Sequence, residues 1–368
     1  MIMFRKLLLA TLASTLVLSM LLPGPPPAAA GRAIVTLIQT SVEIDGLDLH
    51  DGTIYQDAGT YYLTGTRYGC GFQWAVAHTP WCGFGYATAP TLTGPWTYQG
   101  LYFDPASWQT ICGGTGAGCF NPRMEMRPDP GDPVWILYFN APAMGQPTGS
   151  ASAYYAMGCN GPTGPCGASA GPPHGSTTQM PMGACARGGG DFTIVTDGGS
   201  AWMACTDGSQ AISVELLSSW WTGGTGTAIT HAGGLTNVES PGMFRLSDGW
   251  WVLTYSDPNC GYCSGAATAF AYADRPLGAY TTPPNMGAYN TAVRRGWPEI
   301  SGNTCGAQPR TVATVDGLNY EIADFWYGSS NETNAGVGIF PLVRTAAALS
   351  QQPDGRSRPT PFLPFDCR

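Results

Sequence analysis

The sequence predicts an all-β fold, a five-bladed β-propeller, on three observations. One hairpin-like element recurs five times along the chain. Gly (51) and Pro (31) are abundant, as many short strands joined by turns require. Long apolar patterns of helical period are hard to find. A β-sandwich also spaces its strands regularly, but five recurring hairpins of similar length fit radial repetition better.

The recurring element is a strand, a polar turn with Asp or Gly, and a strand rich in paired aromatics. It occupies residues 51–66, 122–140, 191–207, 239–257 and 308–326, around the turns DAG, DPGD, DGG, SDG and VDG. Repeat starts lie about 70 residues apart, except for a shorter step between the third and fourth copies. A second element, a small-residue strand followed by a Pro/Leu/Gly turn and an aromatic, follows at 86–100 and 271–282. A weaker version begins at Tyr154-Tyr155-Ala156. Four short strands per unit is the expectation, with residues 113–118 and 160–190 as loop insertions. In the Tyr61-Tyr62 and Trp250-Trp251 pairs, alternation sends the two rings to opposite faces of the blade.

Residues 1–30 are read as a secretory signal peptide. Arg5 and Lys6 precede an apolar run from Leu7 to Leu22, and Ala28-Ala29-Ala30 ends the segment as a small-residue cleavage site. The run is shorter than the roughly 20 residues that span a bilayer. No second run of that length follows, and no Ser- or Pro-rich linker divides the rest. Residues 31–368 are therefore expected to form one secreted, monomeric domain, free of the membrane after signal cleavage. The 12 cysteines all follow the signal, as disulfides in an exported chain would. Cys70/Cys82, Cys112/Cys119, Cys159/Cys166 and Cys260/Cys263 are close enough to close local loops, although sequence does not fix the pairing. A metal site at Cys260-Gly-Tyr-Cys263 needs a second ligand pair that is missing.

The chain carries a net charge of −8 with 16 Lys and Arg, and no basic cluster. That excludes nucleic acid and anionic membrane surfaces as expected partners. A Gly-x-Ser-x-Gly elbow is missing, and neither glycine-rich run leads into Lys-Ser/Thr, so a serine hydrolase and a phosphate loop are not indicated. His50, His78, His174 and His231 show no metal-ligand spacing. No metal or cofactor is expected; a propeller of this kind can carry an axial calcium ion, but no residue set specifies one. Asn331-Glu332-Thr333 forms a glycosylation sequon.

In a propeller the first strand of each blade lines the axis, so residues opening the repeats converge. Those positions are Asp51, the Asn121-Pro122-Arg123 segment, Asp191, Glu239 and Gln308. Gathering buried carboxylates is expensive unless they are paired or used. Two carboxyl groups are what glycosidic hydrolysis needs: one to protonate the leaving oxygen, the other to activate water or attack carbon. The chain's 12 tryptophans and 17 tyrosines supply stacking surface. Trp74, Trp81, Trp297 and Trp326, in turns or at strand ends, are the expected sugar platforms.

These residues resemble glycoside hydrolase family 43. His50-Asp51-Gly52 followed by Gly59-Thr60-Tyr61-Tyr62-Leu63 is similar to its opening blade, where a His-Asp-Pro segment carries the general base. Val238-Glu239-Ser240-Pro241 before Gly249-Trp250-Trp251 is similar to its Glu-x-Pro blade, which carries the general acid. Asp191-Phe192 with Thr196-Asp197-Gly198-Gly199 resembles the intervening blade. Cys305-Gly306-Ala307-Gln308 with Ala323-Asp324-Phe325-Trp326 resembles the last blade of the exo-galactanase-like branch. The resemblance implies hydrolysis of arabinofuranosyl, xylosyl or galactosyl linkages with inversion, Asp51 as general base and Glu239 as general acid, and carboxyl groups roughly 6.5–9.5 Å apart. Asp191, Asn121, Glu125, Gln308 and His50 are left to tune the acid or contact sugar. The chain departs from the family in His-Asp-Gly, and in showing Asn121 where the second blade is expected to carry an acid, with Glu125 as the displaced alternative. A secreted carbohydrate-binding propeller without catalysis is the competing expectation. A retaining fructan-type enzyme is a third, but its Arg-Asp-Pro and Glu-Cys motifs are missing.

Overall fold

A computed structural model describes residues 41–367 except 74–78, 114–117, 129–133, 143–151, 171–174, 187–189, 259–264, 283–298, 327–332, 334, 345–361 and 364. Residues 1–30, Trp74, Trp297, His78, His174, Cys260, Cys263 and the sequon residues Asn331 and Glu332 lie outside the described residues.

Among the described residues, twenty strands form five four-stranded antiparallel sheets in a ring. The first strand, β1 (Val42–Ile44), belongs to the last sheet. Blade 1 is β2 (Ile54–Asp57), β3 (Thr60–Thr66), β4 (Phe84–Ala89) and β5 (Thr97–Leu101). Blade 2 is β6 (Phe120–Met126), β7 (Trp135–Pro142), β8 (Ser152–Cys159) and β9 (Thr177–Gln179). Blade 3 is β10 (Phe192–Asp197), β11 (Ser200–Thr206), β12 (Ile212–Leu217) and β13 (Gly224–Ile229). Blade 4 is β14 (Glu239–Arg245), β15 (Trp251–Ser256), β16 (Thr268–Ala273) and β17 (Glu299–Ser301). Blade 5 is β18 (Gln308–Val315), β19 (Leu318–Phe325) and β20 (Gly336–Pro341), and β1 pairs with β20 as its fourth strand.

All five hairpins expected from the repeats are the two inner strands of successive blades. The second element is right at β4–β5. At 271–282 it holds only for β16: the outer strand of blade 4 is β17, and Thr281 makes an isolated bridge to Tyr272 instead.

Alternation along each strand sends side chains to two blade interfaces. Ile136 and Tyr138 face blade 3, whereas Leu137 and Phe139 face blade 1. Trp251 and Trp250 likewise divide between the blade 3 and blade 5 sides. The core is therefore five apolar clusters, one at each junction. The three local cysteine pairs within the described residues close as disulfides, 70–82, 112–119 and 159–166. Two longer links join them: Cys185–Cys205, and Cys305–Cys367, which ties the C-terminal segment to the last blade. Among the described residues, no helix is long and apolar enough to cross a membrane.

Some fully buried residues are polar, Glu215 and Glu321 among them. Glu321, between Val312 of β18 and Phe340 of β20, is fully buried. Desolvation pushes its carboxyl well above the usual glutamate range, with the Thr254 hydroxyl opposing the shift. The folded state thus keeps a proton that the unfolded chain releases above its ordinary value of 4.5, so rising pH favours unfolding. Glu321→Gln removes that linkage. Its melting temperature is expected to gain on the parent's steadily as pH rises from that value; a pH-independent difference would refute the assignment.

Candidate active site

The residues that open the inner strands meet at one mouth of the ring, and backbone irregularities aim them there. Bulges interrupt pairing between Phe120 and Arg123, between Glu239 and Gly242, and between Pro309 and Thr311. A bulge re-aims the side chains beside it. Asp51, Asn121 and Ser240 adopt left-handed backbone conformations, φ 51°, 57° and 55°. Asp and Asn tolerate this region better than most residues, and such strain gathers at functional sites. Gly52 has a different reason to be glycine: a Cβ there would fall 1.7 Å from the Thr64 carbonyl oxygen. The His50–Thr53 backbone lies too close to β3 for any side chain at this position, a proline ring included.

Polar contacts cross all five blade junctions at this mouth. The Arg123 guanidinium of blade 2 donates to the Asp51 carbonyl of blade 1 at 2.6 Å. Asn121 donates to Asp191 of blade 3 at 3.0 Å, and the Ser240 hydroxyl of blade 4 donates to the other Asp191 oxygen at 2.9 Å. Gln308 Nε2 of blade 5 donates to Glu239 Oε1 of blade 4 at 3.4 Å. The Asp51 amide closes the circuit by donating to Asp324 of blade 5 at 2.9 Å.

Arg310 organises the blade 5 side. It donates to Asp324 at 2.6 Å and to Gln308 Oε1 at 3.2 Å. Trp326 Nε1 donates to the same amide oxygen at 2.8 Å. With two donors on its oxygen, the Gln308 amide has one orientation available, which turns its NH2 towards Glu239. The Asp324, Asp191 and Asp51 carboxylates hold Arg310 charged against the cost of burial.

Burial raises the Asp51 carboxyl to about 7; Arg310 pulls it down, Asp324 pushes it up, and Arg123 pulls it down. Glu239 is also held above the usual glutamate range, first by burial and then by the Asp191 charge, with Arg310 and Gln308 opposing. Both carboxyls titrate in the range that acid–base work near neutrality needs.

Several expectations are corrected. Glu125 is not at this mouth: four residues beyond Asn121 along β6, at about 3.3 Å per residue, it sits towards the opposite end of the ring. The carboxylates whose charge reaches Glu239 are Asp191 and, more weakly, Asp257. Trp81 is no platform, being 1% exposed, bonded to the Cys119 carbonyl and packed on Phe84. Trp326, also 1% exposed, holds Gln308 and offers no free face to a sugar. The His50 ring is completely buried between Tyr68 and Trp326, out of reach of sugar hydroxyls in this conformation. Trp74 and Trp297 are outside the described residues. Among the described residues, no group of three or more His, Cys, Asp and Glu is arranged to hold a metal ion.

No protein-family model matches the chain, and no curated protein matches it. Solved structures do. An exo-β-1,3-galactanase from Phanerochaete chrysosporium, solved with β-1,3-galactotriose, is 14% identical with a TM-score of 0.59, over 82% of this chain and 64% of that one. A family 43 β-1,3-galactosidase bound to galactodeoxynojirimycin is 16% identical with a TM-score of 0.59, over 84% of this chain and 93% of that one. An exo-1,5-α-L-arabinanase from a bovine ruminal metagenomic library is 19% identical with a TM-score of 0.52, over 86% and 97%. The fold is a family 43-like five-bladed β-propeller. This propeller spans less than two thirds of the fungal galactanase's length. At these identities the likeness concerns the fold.

Sequence reasoning did not single out Arg310, Ser240 or Asp324 as site residues. Arg310, two positions after Gln308, is the residue left unpaired by the bulge between Pro309 and Thr311, which simple alternation does not foresee. Ser240 carried no signal, because its hydroxyl reaches Asp191 only through the bulge and the left-handed turn at its own backbone.

Proposed function

We propose that this protein is a secreted glycoside hydrolase that cleaves galactosyl, arabinofuranosyl or xylosyl linkages in polysaccharides with inversion. The observation that carries the proposal is the pairing of Asp51 and Glu239 at one mouth, each with a raised pKa and each set in the same hydrogen-bonded circuit. Glu239 Oε1 accepts from Gln308, so the acidic proton resides on Oε2 and passes to the glycosidic oxygen as the bond to the anomeric carbon breaks. Asp51 takes a proton from the water whose oxygen forms the new bond to that carbon. Gln308 fits the role of base poorly, because Trp326 and Arg310 already occupy its amide oxygen. Two of the three structural neighbours named above are called galactan- or galactoside-cleaving enzymes, which puts β-linked galactose first among substrates.

The test is hydrolysis of aryl galactoside, arabinofuranoside and xyloside, and of galactan, arabinan and xylan, with the first-formed anomer followed by NMR. Turnover that releases the inverted anomer is expected. Release of the retained anomer would refute the water-activating role of Asp51. Silence on every substrate from folded protein would leave the non-hydrolytic binding propeller, a reading favoured by Asn121 standing where the second blade was expected to carry an acid.

A further inference from the structure

Hydrolysis makes no use of the opposite mouth of the ring, where the inner strands β2, β6 and β18 end around a cavity of about 230 Å³. Tyr55, Gln56, Glu125, Trp135 and Asp316 are among the residues that line it, and no Lys or Arg contributes. Sites for drug-sized ligands run to roughly 300–1,000 Å³, so this one suits a single ring-sized unit.

Its parts are fixed in advance. Tyr55 is stacked on Tyr62 at 4.9 Å, and its hydroxyl hydrogen-bonds to that of Tyr102 at 2.9 Å. Asp316 accepts from the Tyr61 hydroxyl. Glu125 has no hydrogen-bond partner among the described residues, and burial raises its carboxyl to about 8. At neutral pH it therefore presents an O–H donor and a carbonyl acceptor instead of a charge. An amide, a carboxylic acid and aromatic residues in one small cavity match a sugar ring, which has hydroxyls on its rim and C–H groups on its face.

A second aromatic surface lies on the same side of the ring. Trp220, in the turn between β12 and β13, is 52% exposed, and the Arg127 guanidinium holds its ring at 4.6 Å. Arg127 follows Met126, which lines the cavity and is itself 50% exposed.

We infer that this mouth is a second, non-hydrolytic carbohydrate-binding site, taking one sugar unit of a polysaccharide against Tyr55, Trp135, Gln56 and Glu125, with Trp220 as the adjoining platform. The identity of the ligand rests on the polysaccharide reading above; the cavity does not. Bound there, a polymer raises the local concentration of cleavable linkages at the other mouth.

The test is affinity electrophoresis of the full chain in native gels containing soluble galactan, arabinan or xylan, with turnover of the aryl glycosides measured in parallel. Trp220→Ala and Glu125→Ala are each expected to weaken retardation about fivefold, the loss of one stacking or hydrogen-bonding contact, while aryl glycoside turnover stays at the parent level. Glu125→Gln, which keeps a donor and an acceptor, is expected to restore retardation. Trp220 is exposed, so its variant separates binding from folding, and thermal unfolding checks the Glu125 variants. Retardation within twofold of the parent in both alanine variants overturns the inference. So does a parent that is not retarded by any of the polymers; if it turns over aryl glycosides, the hydrolase reading stands alone. Retardation lost in the variants of a protein that hydrolyses nothing keeps this site and refutes the hydrolase.

Discussion

Glu239→Gln is expected to lower kcat/KM on natural linkages by about 10²- to 10⁴-fold, the usual share of a positioned general acid, or ~3–5 kcal/mol of barrier. Glutamine keeps the shape and the contact to Gln308 but has no proton to give. The loss should shrink on aryl glycosides whose leaving group departs without protonation, which a merely structural role would not produce. The pH profile supplies a second check. Activity needs Asp51 ionised and Glu239 protonated, so kcat/KM should rise through about pH 7, where Asp51 titrates, and fall at higher pH as Glu239 loses its proton. In Glu239→Gln the falling limb should vanish and the rising limb stay. In Asp51→Asn the rising limb should vanish instead, with a comparable loss of rate. A Glu239→Gln enzyme that keeps parental kcat/KM on polysaccharide would remove Glu239 from the chemistry.

Arg310→Met is expected to destabilise the fold by about 3–5 kcal/mol, the cost of breaking a buried ion pair and stranding its partner. The stranded charges are specific. Asp324 loses its 2.6 Å contact, and Asp51 loses the cation that offsets its own burial. Urea unfolding should show a lower midpoint at unchanged slope. Arg310→Met with Asp324→Asn should recover part of the loss, because the second change removes the stranded charge and keeps an acceptor for the Asp51 amide. Full additivity of the two changes would mean that the pair does not act as a unit.

Much of this was legible in the sequence because a propeller repeats. Each blade must satisfy the same alternation, so five degenerate hairpins reinforce one another, and the residue opening each hairpin is placed at the axis by arithmetic alone. That arithmetic fails where the ladder is irregular. Counting outward from the Asp316-Gly317 turn pairs Gln308 with Phe325; the bulge between Pro309 and Thr311 moves the partner to Asp324. One extra residue therefore hid the carboxylate that holds the Asp51 amide. Bulges leave little trace in composition, because they answer to what the blade next door requires. Glu125 misled for the converse reason: near Asn121 in sequence, it is carried away by the rise of its own strand. Trp81 and Trp326 misled because an aromatic at a strand end serves a blade junction as readily as a ligand, and only the packing of the neighbouring blade decides which.

The pairing of β1 with β20 sets an order in time. The ribosome delivers Val42–Ile44 before the first four blades and Gly336–Pro341 after them, so four blades can assemble while the first strand waits without its neighbour. Until the final blade arrives, the ring is an open arc with bare strand edges, the kind of surface that recruits other chains. The Asp51 amide likewise has no Asp324 to bind, and Glu239 no Gln308. The axial circuit is thus complete only once the fifth blade has been made, and is withheld from every nascent fragment that stops short of it.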